Sequence, residues 1–193
     1  TVIMKKSWND INFMTAYTNM DTSDVYALTS AQAESAYGYM QRWDGENVSS
    51  ASSSYMAEHK FMATLDYTAQ WFGNNDTRFS LVYIRKSGEP YSVTFDEPGY
   101  NSVTGNSRFY ADYSLPYIPT GASDPNVSFT SSAVADAVMA HVNATGLSAY
   151  KGTYAPRNAF NSPWISRLDL RVTQDIKVFN EHKFIVYLDL LNL

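Results

Sequence analysis

Cysteine is absent from this chain of 193 residues, and its absence excludes disulfide frameworks, thiolate zinc sites and cysteine nucleophiles together. Charged residues are scarce, at 17% of the chain, whereas an average soluble domain has about 25%. The net charge is −5 and no lysine or arginine cluster interleaves with aromatics, so nucleic-acid binding is not expected. No run of about 18 apolar residues occurs, which excludes a transmembrane helix but not the strands of a barrel.

Catalytic and metal-binding signatures are also missing. His59, His141 and His182 are far apart and lack metal-ligand spacing, and no nucleophile elbow, HExxH motif or Walker glycine loop occurs. Two acidic pairs could offer oxygen ligands to calcium but lack the spacing of a calcium loop. These pairs are Asp21/Asp24 and Asp96/Glu97. We therefore expect neither an enzyme nor a bound cofactor or metal.

Aromatic residues, by contrast, are abundant: 15 Tyr, 10 Phe and 4 Trp make up 15% of the chain. Outer-membrane β-barrels combine few charges with many aromatics, because Tyr and Trp anchor at the two membrane interfaces. The hydrophobic content of 45% excludes disorder as the default. The composition therefore favours a membrane barrel.

The most informative pattern lies between Trp164 and Leu193, where side-chain character changes at every second residue over two strand-length segments. Successive strand side chains point to opposite faces, so this alternation predicts a sheet with one apolar face and one charged face. An ionic inner face indicates a large barrel around water or a polar plug. The apolar positions are Trp164, Leu168, Leu170, Val172, Phe184, Val186, Leu188 and Leu190, and the polar positions include Arg167, Asp169, Arg171, Thr173, Asp175, Lys183, Tyr187 and Asp189.

The whole chain is predicted to form six antiparallel strands in three hairpins. The expected fold class is therefore all-β, and the expected architecture is a segment of a transmembrane β-barrel. The turns contain residues that tolerate tight backbone geometry. The first and second hairpins are followed by long connections, Thr22 to His59 and Ser87 to Pro163. Outer-membrane barrels show the same asymmetry, with short turns on the periplasmic side and long loops on the extracellular side. The predicted strands are Thr1 to Ser7, Ile11 to Met20, Lys60 to Phe72, Thr77 to Lys86 and the two C-terminal segments, with turns at Asn9-Asp10, Gly73 to Asp76 and Asn180-Glu181.

One short helix is predicted inside the second long loop, from Thr130 to Asn143. The interpretation we favour is a small helix packed within the loop, and the alternative is a helix that moves when ligand binds. Its apolar stripe is predicted at Ala133, Val134, Ala137, Val138 and His141, with Gly146 as its end.

Several segments, in this order, resemble the C-terminal barrel of TonB-dependent outer-membrane receptors, most closely the Oar-like group of Bacteroidetes and related Gram-negative bacteria. The resemblance covers nearly the whole chain. The segments that carry it are Tyr17-Thr18-Asn19, Asp24-Val25, Arg85 to Ser92, Tyr117 to Pro125, Ala155 to Asn158, Trp164 to Arg171 and Tyr187 to Leu193.

The resemblance implies a barrel of roughly 22 strands in the cell outer membrane, with a plug domain in its lumen and a link to the TonB energy-coupling complex. Its expected partners are the rest of the barrel, the plug, outer-membrane lipid and, in a scaffold, other envelope proteins. We expect residues 1–193 to be a partial barrel domain. Thr1 to Trp8 has no signal-peptide character, and this sequence contains no recognisable plug, coupling segment or closing strand.

Two sets of residues are candidates for function. A row of polar residues is expected to face the lumen, either as a ladder of neutralised charges or as a contact for the plug. Loop aromatics could bind solute, or pack the loops together and form the interface girdle. The first set is Asp66, Gln70, Arg167, Asp169, Arg171, Asp175 and Asp189, and the second is Trp43, Tyr100, Tyr110, Tyr113 and Tyr117, with Tyr55 and Tyr91 as further loop aromatics.

Three functions are compatible with these features. The first is active transport, in which the receptor binds a solute at the cell surface and admits it to the periplasm without covalent chemistry. The second is a scaffold barrel within a larger envelope assembly. The third is a soluble β-sandwich that binds carbohydrate or protein, which predicts that Phe61, Leu65, Trp71, Phe79 and Leu81 are buried in a core.

Overall fold

The computed structural model describes residues 1–26, 30–44, 48–95, 113–179 and 182–193. Contacts between residues divide the chain into two compact units. The sheet unit comprises Thr1–Asp21, Ala57–Gly88 and Pro163–Leu193, and the loop unit comprises Thr22–Met56 and Glu89–Ser162. The loop unit is therefore built from the two long connections that the sequence predicted.

Ten strands, two α-helices and one 3-10 helix make up the regular structure of the described residues. The strands are β1 (Val2–Trp8), β2 (Ile11–Asn19), β3 (Ser23–Asp24), β4 (Ala51–Ser52), β5 (His59–Phe72), β6 (Asn75–Lys86), β7 (Pro90–Tyr91), β8 (Phe160–Asn161), β9 (Ile165–Phe179) and β10 (His182–Leu190). The helices are α1 (Ala33–Gly38), α2 (Ser132–Ala144) and the 3-10 helix Gly146–Tyr150. No described helix is long and apolar enough to cross a membrane.

Six long strands form one sheet in the order β1-β2-β5-β6-β9-β10, and every neighbouring pair is antiparallel. The prediction of an all-β antiparallel fold is confirmed. Strand β6 begins at Asn75, two residues before the predicted start, so that Phe72 pairs with Asn75 across the two-residue turn Gly73-Asn74. Gly73 has φ 65°, the conformation that a type II′ turn requires at its first central position. The predicted turn at Asn180-Glu181 lies outside the described residues.

The register brings residues of one character together in rows across all six strands. One row on the first face is entirely apolar, and the adjacent row on the other face is entirely polar. At these two rows the faces of the sheet therefore differ in character across all six strands, because side chains alternate along every strand. Further along the strands, the polar face also carries a mostly apolar row of Ile3, Ala16, Met62, Ile84 and Arg167. The apolar row is Trp8, Ile11, Tyr67, Phe79, Val172 and Leu188, and the polar row is Ser7, Asn12, Asp66, Ser80, Arg171 and Asp189.

All the buried hydrophobic residues described by the structure belong to the loop unit. Their centre is a cluster of Ile118, Val142, Leu147 and Ala155, against which Val138, Tyr150 and Phe160 pack. The described part of the sheet unit has no buried apolar side chain, although one face is apolar. The described residues of the sheet therefore form no core of their own.

The predicted helix exists as α2, but of its predicted apolar stripe only Val138 packs against the loop core. Ala135 and Val142 are buried and Val138 is half-buried, whereas Ala133, Val134, Ala137 and His141 are exposed. The Oγ of Ser131 accepts a hydrogen bond from the Val134 N–H (3.2 Å), so the helix begins at Ser132, two residues later than expected. Since apolar residues occur around most of this helix, packing on the loop core and not periodicity selects the buried face.

Strands β7 and β8 pair Pro90 with Asn161 and Tyr91 with Phe160. The sequence alternates briefly from Tyr91 to Phe95, but strand pairing ends at Tyr91. The pair links the beginning and the end of the second long connection, and this closes the segment that carries the loop core.

Candidate functional site

The charged residues on the polar face of the sheet form ion pairs with one another. Nε and Nη2 of Arg171 donate to the two carboxylate oxygens of Asp189, at 2.6 and 2.8 Å. This bidentate pair joins β9 to β10, where the two residues stand directly opposite each other. Within β9, Nε of Arg167 donates to Asp169 at 2.9 Å.

The other predicted polar residues of this face also have partners. Asp175 is buried and accepts a hydrogen bond from Nζ of Lys183 at 2.7 Å. Asp66 accepts one from Oγ of Ser80 at 2.6 Å, and Nε2 of Gln70 donates to Asp76 at 3.3 Å. The arrangement is that of a ladder in which charges neutralise each other. Sequence reasoning placed Lys183 on this face but did not identify it as the partner of Asp175.

In the loop unit, Arg157 and Asn158 connect three segments that are distant in sequence. Nη2 of Arg157 donates to the backbone oxygen and to Oδ1 of Asp24, the latter at 2.9 Å. Nδ2 of Asn158 donates to the backbone oxygen of Ser52 at 2.6 Å and to Oγ of Ser54 at 3.0 Å. Asn158 also receives a hydrogen bond from Ser92, on the second connection. Both residues are buried, and together they tie the two long connections to each other.

Asp124 closes a second loop of this unit. Its carboxylate accepts hydrogen bonds from the backbone N–H groups of Thr120 (2.8 Å) and Asn126 (2.9 Å), and from the hydroxyls of Thr120 and Tyr117. These donors, the backbone N–H of Thr120 first, lower the pKa of Asp124 to about 2. Tyr117, predicted as a candidate solute contact, therefore has a hydroxyl that is engaged in holding this loop.

A pocket of about 200 Å³ lies in the loop unit, and it contains one of the predicted aromatic residues. Trp43 stacks on Tyr154, with ring centroids 4.6 Å apart and an angle of 14° between the planes. Tyr117 meets Tyr154 edge-on at 5.6 Å. The pocket is lined by Gln41, Arg42, Trp43, Asp44, Val48, Ser49, Leu115, Thr153, Tyr154, Pro156 and Arg157.

Two buried guanidinium groups line this pocket. Arg42 lies 3.9 Å from the centroid of the Tyr37 ring, and its Nη1 donates to the backbone oxygens of Tyr37 and Met40. Burial lowers the pKa of Arg42, since the charged form loses hydration. Nε of Arg157 is buried and has no hydrogen-bond partner among the described residues. A buried donor without a partner costs about 1–3 kcal/mol.

Tyr113, another predicted loop aromatic, does not line this pocket. The ring of Tyr113 meets that of Tyr39 edge-on at 5.6 Å, and its backbone oxygen accepts a hydrogen bond from the Arg42 N–H at 3.0 Å. Tyr100 and Tyr110 lie outside the described residues, as does the acidic pair Asp96/Glu97. Among the residues that the structure describes, no three His, Cys, Asp or Glu side chains are grouped as metal ligands would be.

Sequence reasoning missed Arg42, Tyr154 and Arg157 as pocket residues. Arg157 belongs to the segment that carries the family resemblance, and Arg42 is adjacent to Trp43, so the sequence held a weak signal for both. Nothing in the sequence indicates that Trp43 and Tyr154 stack, because they belong to different connections. No protein-family model, no curated protein and no solved structure matches this chain.

Proposed function

We propose that this chain forms part of the barrel of a TonB-dependent outer-membrane receptor, which binds a solute at the cell surface and passes it to the periplasm. The observation that carries the proposal is the sheet with an exposed apolar face and an ion-paired opposite face, while the buried hydrophobic residues that the structure describes all belong to the loop unit. Transport of this kind requires binding and gated passage but no covalent chemistry.

The apolar face needs an apolar environment. Val186 is 57% exposed, Leu188 58% and Trp71 60%, and Phe61 and Leu65 are exposed as well. Burying a large apolar side chain gains about 1.5–3 kcal/mol, so a surface of this extent is rarely left in water. Hydrocarbon tails of the outer membrane would cover it. The soluble-sandwich alternative predicts that Phe61, Leu65 and Trp71 are buried, and their exposure argues against it.

Aromatic clusters stand near the two ends of the apolar face. Towards the long connections, Phe61 contacts Tyr17 (ring centroids 4.7 Å apart) and Trp164 (6.3 Å). Towards the short turns, Trp71 contacts Phe79 at 4.9 Å. Phe61 and Trp71 are ten residues apart on β5, which corresponds to about 33 Å along a strand and to about 25 Å along the membrane normal at a tilt of ~40°. That distance matches the apolar band of outer-membrane barrels between its aromatic girdles.

The edges of the sheet indicate what else the barrel needs. Strands β1 and β10 are the outermost strands of the described sheet, and no described strand pairs with their outer sides. Unpaired backbone groups are not tolerated in hydrocarbon, so further strands of the barrel would cover both edges. The ion-paired face would then enclose the lumen, where the plug domain is expected, and the TonB complex would act on that plug.

The proposal is tested with two adjacent single-cysteine variants, Val186→Cys and Tyr187→Cys, which the cysteine-free sequence permits without other changes. Both positions are exposed, and they lie on opposite faces of β10. A polarity-sensitive fluorophore attached in isolated membranes of cells that express the protein should be quenched by brominated lipid at position 186 and not at position 187. Equal quenching, or none at either position, would contradict the proposal.

Transport is distinguished from a scaffold by energy dependence. If the barrel transports, uptake of its solute should stop when the inner-membrane proton gradient is collapsed, while solute binding at the cell surface remains. A barrel that resides in the membrane, copurifies in fixed ratio with other envelope proteins and shows no such uptake would instead have a scaffold role.

A further inference from the structure

We propose that a groove on the apolar face of the sheet binds one lipid with an anionic phosphate headgroup, whose acyl chain lies in the groove and whose phosphate lies at Arg85. The inference rests on the proposed function, because it requires this face to lie in a membrane, and it names a partner that the proposed function leaves open. All the residues that line the groove belong to the sheet unit.

The groove arises where two small side chains stand opposite each other on the apolar face. Thr15 of β2 pairs with Ala63 of β5, and Ala63 pairs in turn with Tyr83 of β6. Because strand side chains stand roughly perpendicular to the sheet, a small pair leaves a depression between larger neighbours. Its volume is about 530 Å³, which corresponds to roughly 18 groups of the size of water at ~30 Å³ each. This is sufficient for much of one acyl chain, whose methylene groups are close to water in size.

Aromatic side chains beside the depression hold one another in place. The ring of Trp164 lies 6.3 Å from that of Phe61 and 6.0 Å from that of His59, to which it is nearly parallel (4°). Nδ1 of His59 lies 2.9 Å from the hydroxyl oxygen of Tyr17. Phe61 and Trp164 nevertheless remain 43% and 44% exposed. A rigid, exposed apolar surface loses little conformational entropy when an acyl chain packs against it.

Arg85 places a positive charge at the end of the groove that is nearer the long connections. It stands directly opposite Phe61 on the apolar face, one residue before β6 ends. Its side chain is exposed, and its guanidinium carbon lies 5.3 Å from the centroid of the Trp164 ring. Among the described residues, none forms an ion pair with Arg85 or accepts a hydrogen bond from its guanidinium. An arginine can lay its apolar stem along hydrocarbon while its charge reaches the headgroups, where a phosphate is a suitable partner.

The local geometry, and not the overall charge, selects this lipid. The chain has a net charge of −5, which by itself repels anionic headgroups. Lys6 also lies on the apolar face, with Nζ 5.9 Å from the centroid of the Trp8 ring, but it does not line the groove. Lys6 therefore makes the same kind of contact as Arg85 at another place on the same face, and it serves as the control for charge alone.

The experiment compares two lipids that have the same acyl chains and differ in headgroup charge. The full chain is purified from membranes in mild detergent and incubated with equal amounts of dioleoylphosphatidylglycerol and dioleoylphosphatidylcholine. Native mass spectrometry then measures which lipid the protein retains. We expect phosphatidylglycerol to be favoured about fivefold, since one basic residue near a membrane surface contributes about that factor. Inorganic phosphate in large excess should not displace it, because free phosphate has no acyl chain to fill the groove.

Paired variants locate the site. Arg85→Gln should remove the preference for phosphatidylglycerol, whereas Arg85→Lys should keep part of it and Lys6→Gln all of it. Ala63→Phe fills the groove and should remove most of the retained lipid of both kinds. Ala69→Phe introduces the same side chain on the same face of β5 outside the groove, and it should leave lipid retention unchanged.

The inference is overturned if the unchanged protein retains both lipids equally, if Lys6→Gln loses the preference as Arg85→Gln does, or if Ala63→Phe retains as much lipid as Ala69→Phe. Displacement of the lipid by inorganic phosphate would also overturn it, as would a dimer that Ala63→Phe dissociates, since a second copy would then occupy the groove. None of these results requires a loss of lipid quenching at Val186, so the failure of this inference is distinguishable from the failure of the proposed function. Absence of quenching at that position would overturn both.

Discussion

Replacement of Asn158 is the most direct test of how the loop unit is held together. Its side chain takes part in three hydrogen bonds, to the Ser52 backbone oxygen (2.6 Å), to Ser54 Oγ (3.0 Å) and from Ser92 Oγ (3.2 Å). Its backbone has φ 54°, a left-handed conformation that Asn adopts more readily than Ala. At about 0.7–1 kcal/mol for each of the three hydrogen bonds and about 1–2 kcal/mol for the backbone, Asn158→Ala should destabilise the unit by about 3–5 kcal/mol.

Hydrogen–deuterium exchange measures this destabilisation locally. The reporting amides are those of Ser53, which donates to the Thr22 oxygen (2.9 Å), and of residue 158 itself, which donates to Ser92 Oγ (2.9 Å). A loss of 3–5 kcal/mol corresponds to exchange that is about a hundred- to several-thousand-fold faster, since every 1.4 kcal/mol is a factor of ten. Peptides from β9 and β10 serve as the internal reference, because they belong to the sheet unit.

A second variant separates the two contributions. Asn158→Gly loses the same side-chain hydrogen bonds but adopts positive φ without steric cost, so it should be less destabilised than Asn158→Ala by about 1 kcal/mol. If Asn158→Ala changes exchange by less than tenfold, or if the glycine variant is the less stable of the two, the tie between the two connections does not hold the unit as we describe.

Three further predictions concern other parts of the chain. Because the pKa of Asp124 is depressed, the stability that its carboxylate gives the loop should be present above about pH 4 and lost as the pH falls towards about 2. Hydrogen exchange of the loop amides should therefore become faster over this pH range, and Asp124→Asn should remove that pH dependence. Leu65→Arg, near the middle of the apolar band, should lower the free energy of unfolding in vesicles by about 2–4 kcal/mol, whereas Thr64→Arg on the opposite face should lower it far less. Urea titrations measure both values, and equal losses would contradict a lipid-facing surface. Gly152→Ala should lower the melting temperature of the loop unit, because Gly152 has φ 84° and an added Cβ would lie 3.2 Å from a side-chain methyl, whereas Gly121→Ala has open space and should not.

Much of the sheet followed from the sequence because its signal is local. A period of two residues, visible in Leu168 to Asp175, is enough to assign a strand and to divide its side chains between two faces. The turn at Gly73 carries its own local signal, since glycine tolerates the required positive φ. These features depend on neighbouring residues alone, and the structure has an antiparallel sheet in those places.

The candidate site was less accessible from the sequence. Trp43 was selected because it is a loop aromatic, but its partner Tyr154 lies on the other long connection. Most of the predicted stripe of α2 is exposed for a related reason, since Ala135 and Val142 are buried by packing against a core that other segments supply. No pattern within a short window encodes such contacts.

The sequence by itself determined the six long strands of the sheet and the alternation of their side chains, because each depends on the geometry of a single strand. The tertiary structure alone decided which charges pair, as Lys183 does with Asp175, and which residues of the loops meet. It also decided that Arg157 and Asn158 would join the two connections, since hydrogen bonds across about a hundred residues form only once the chain is folded.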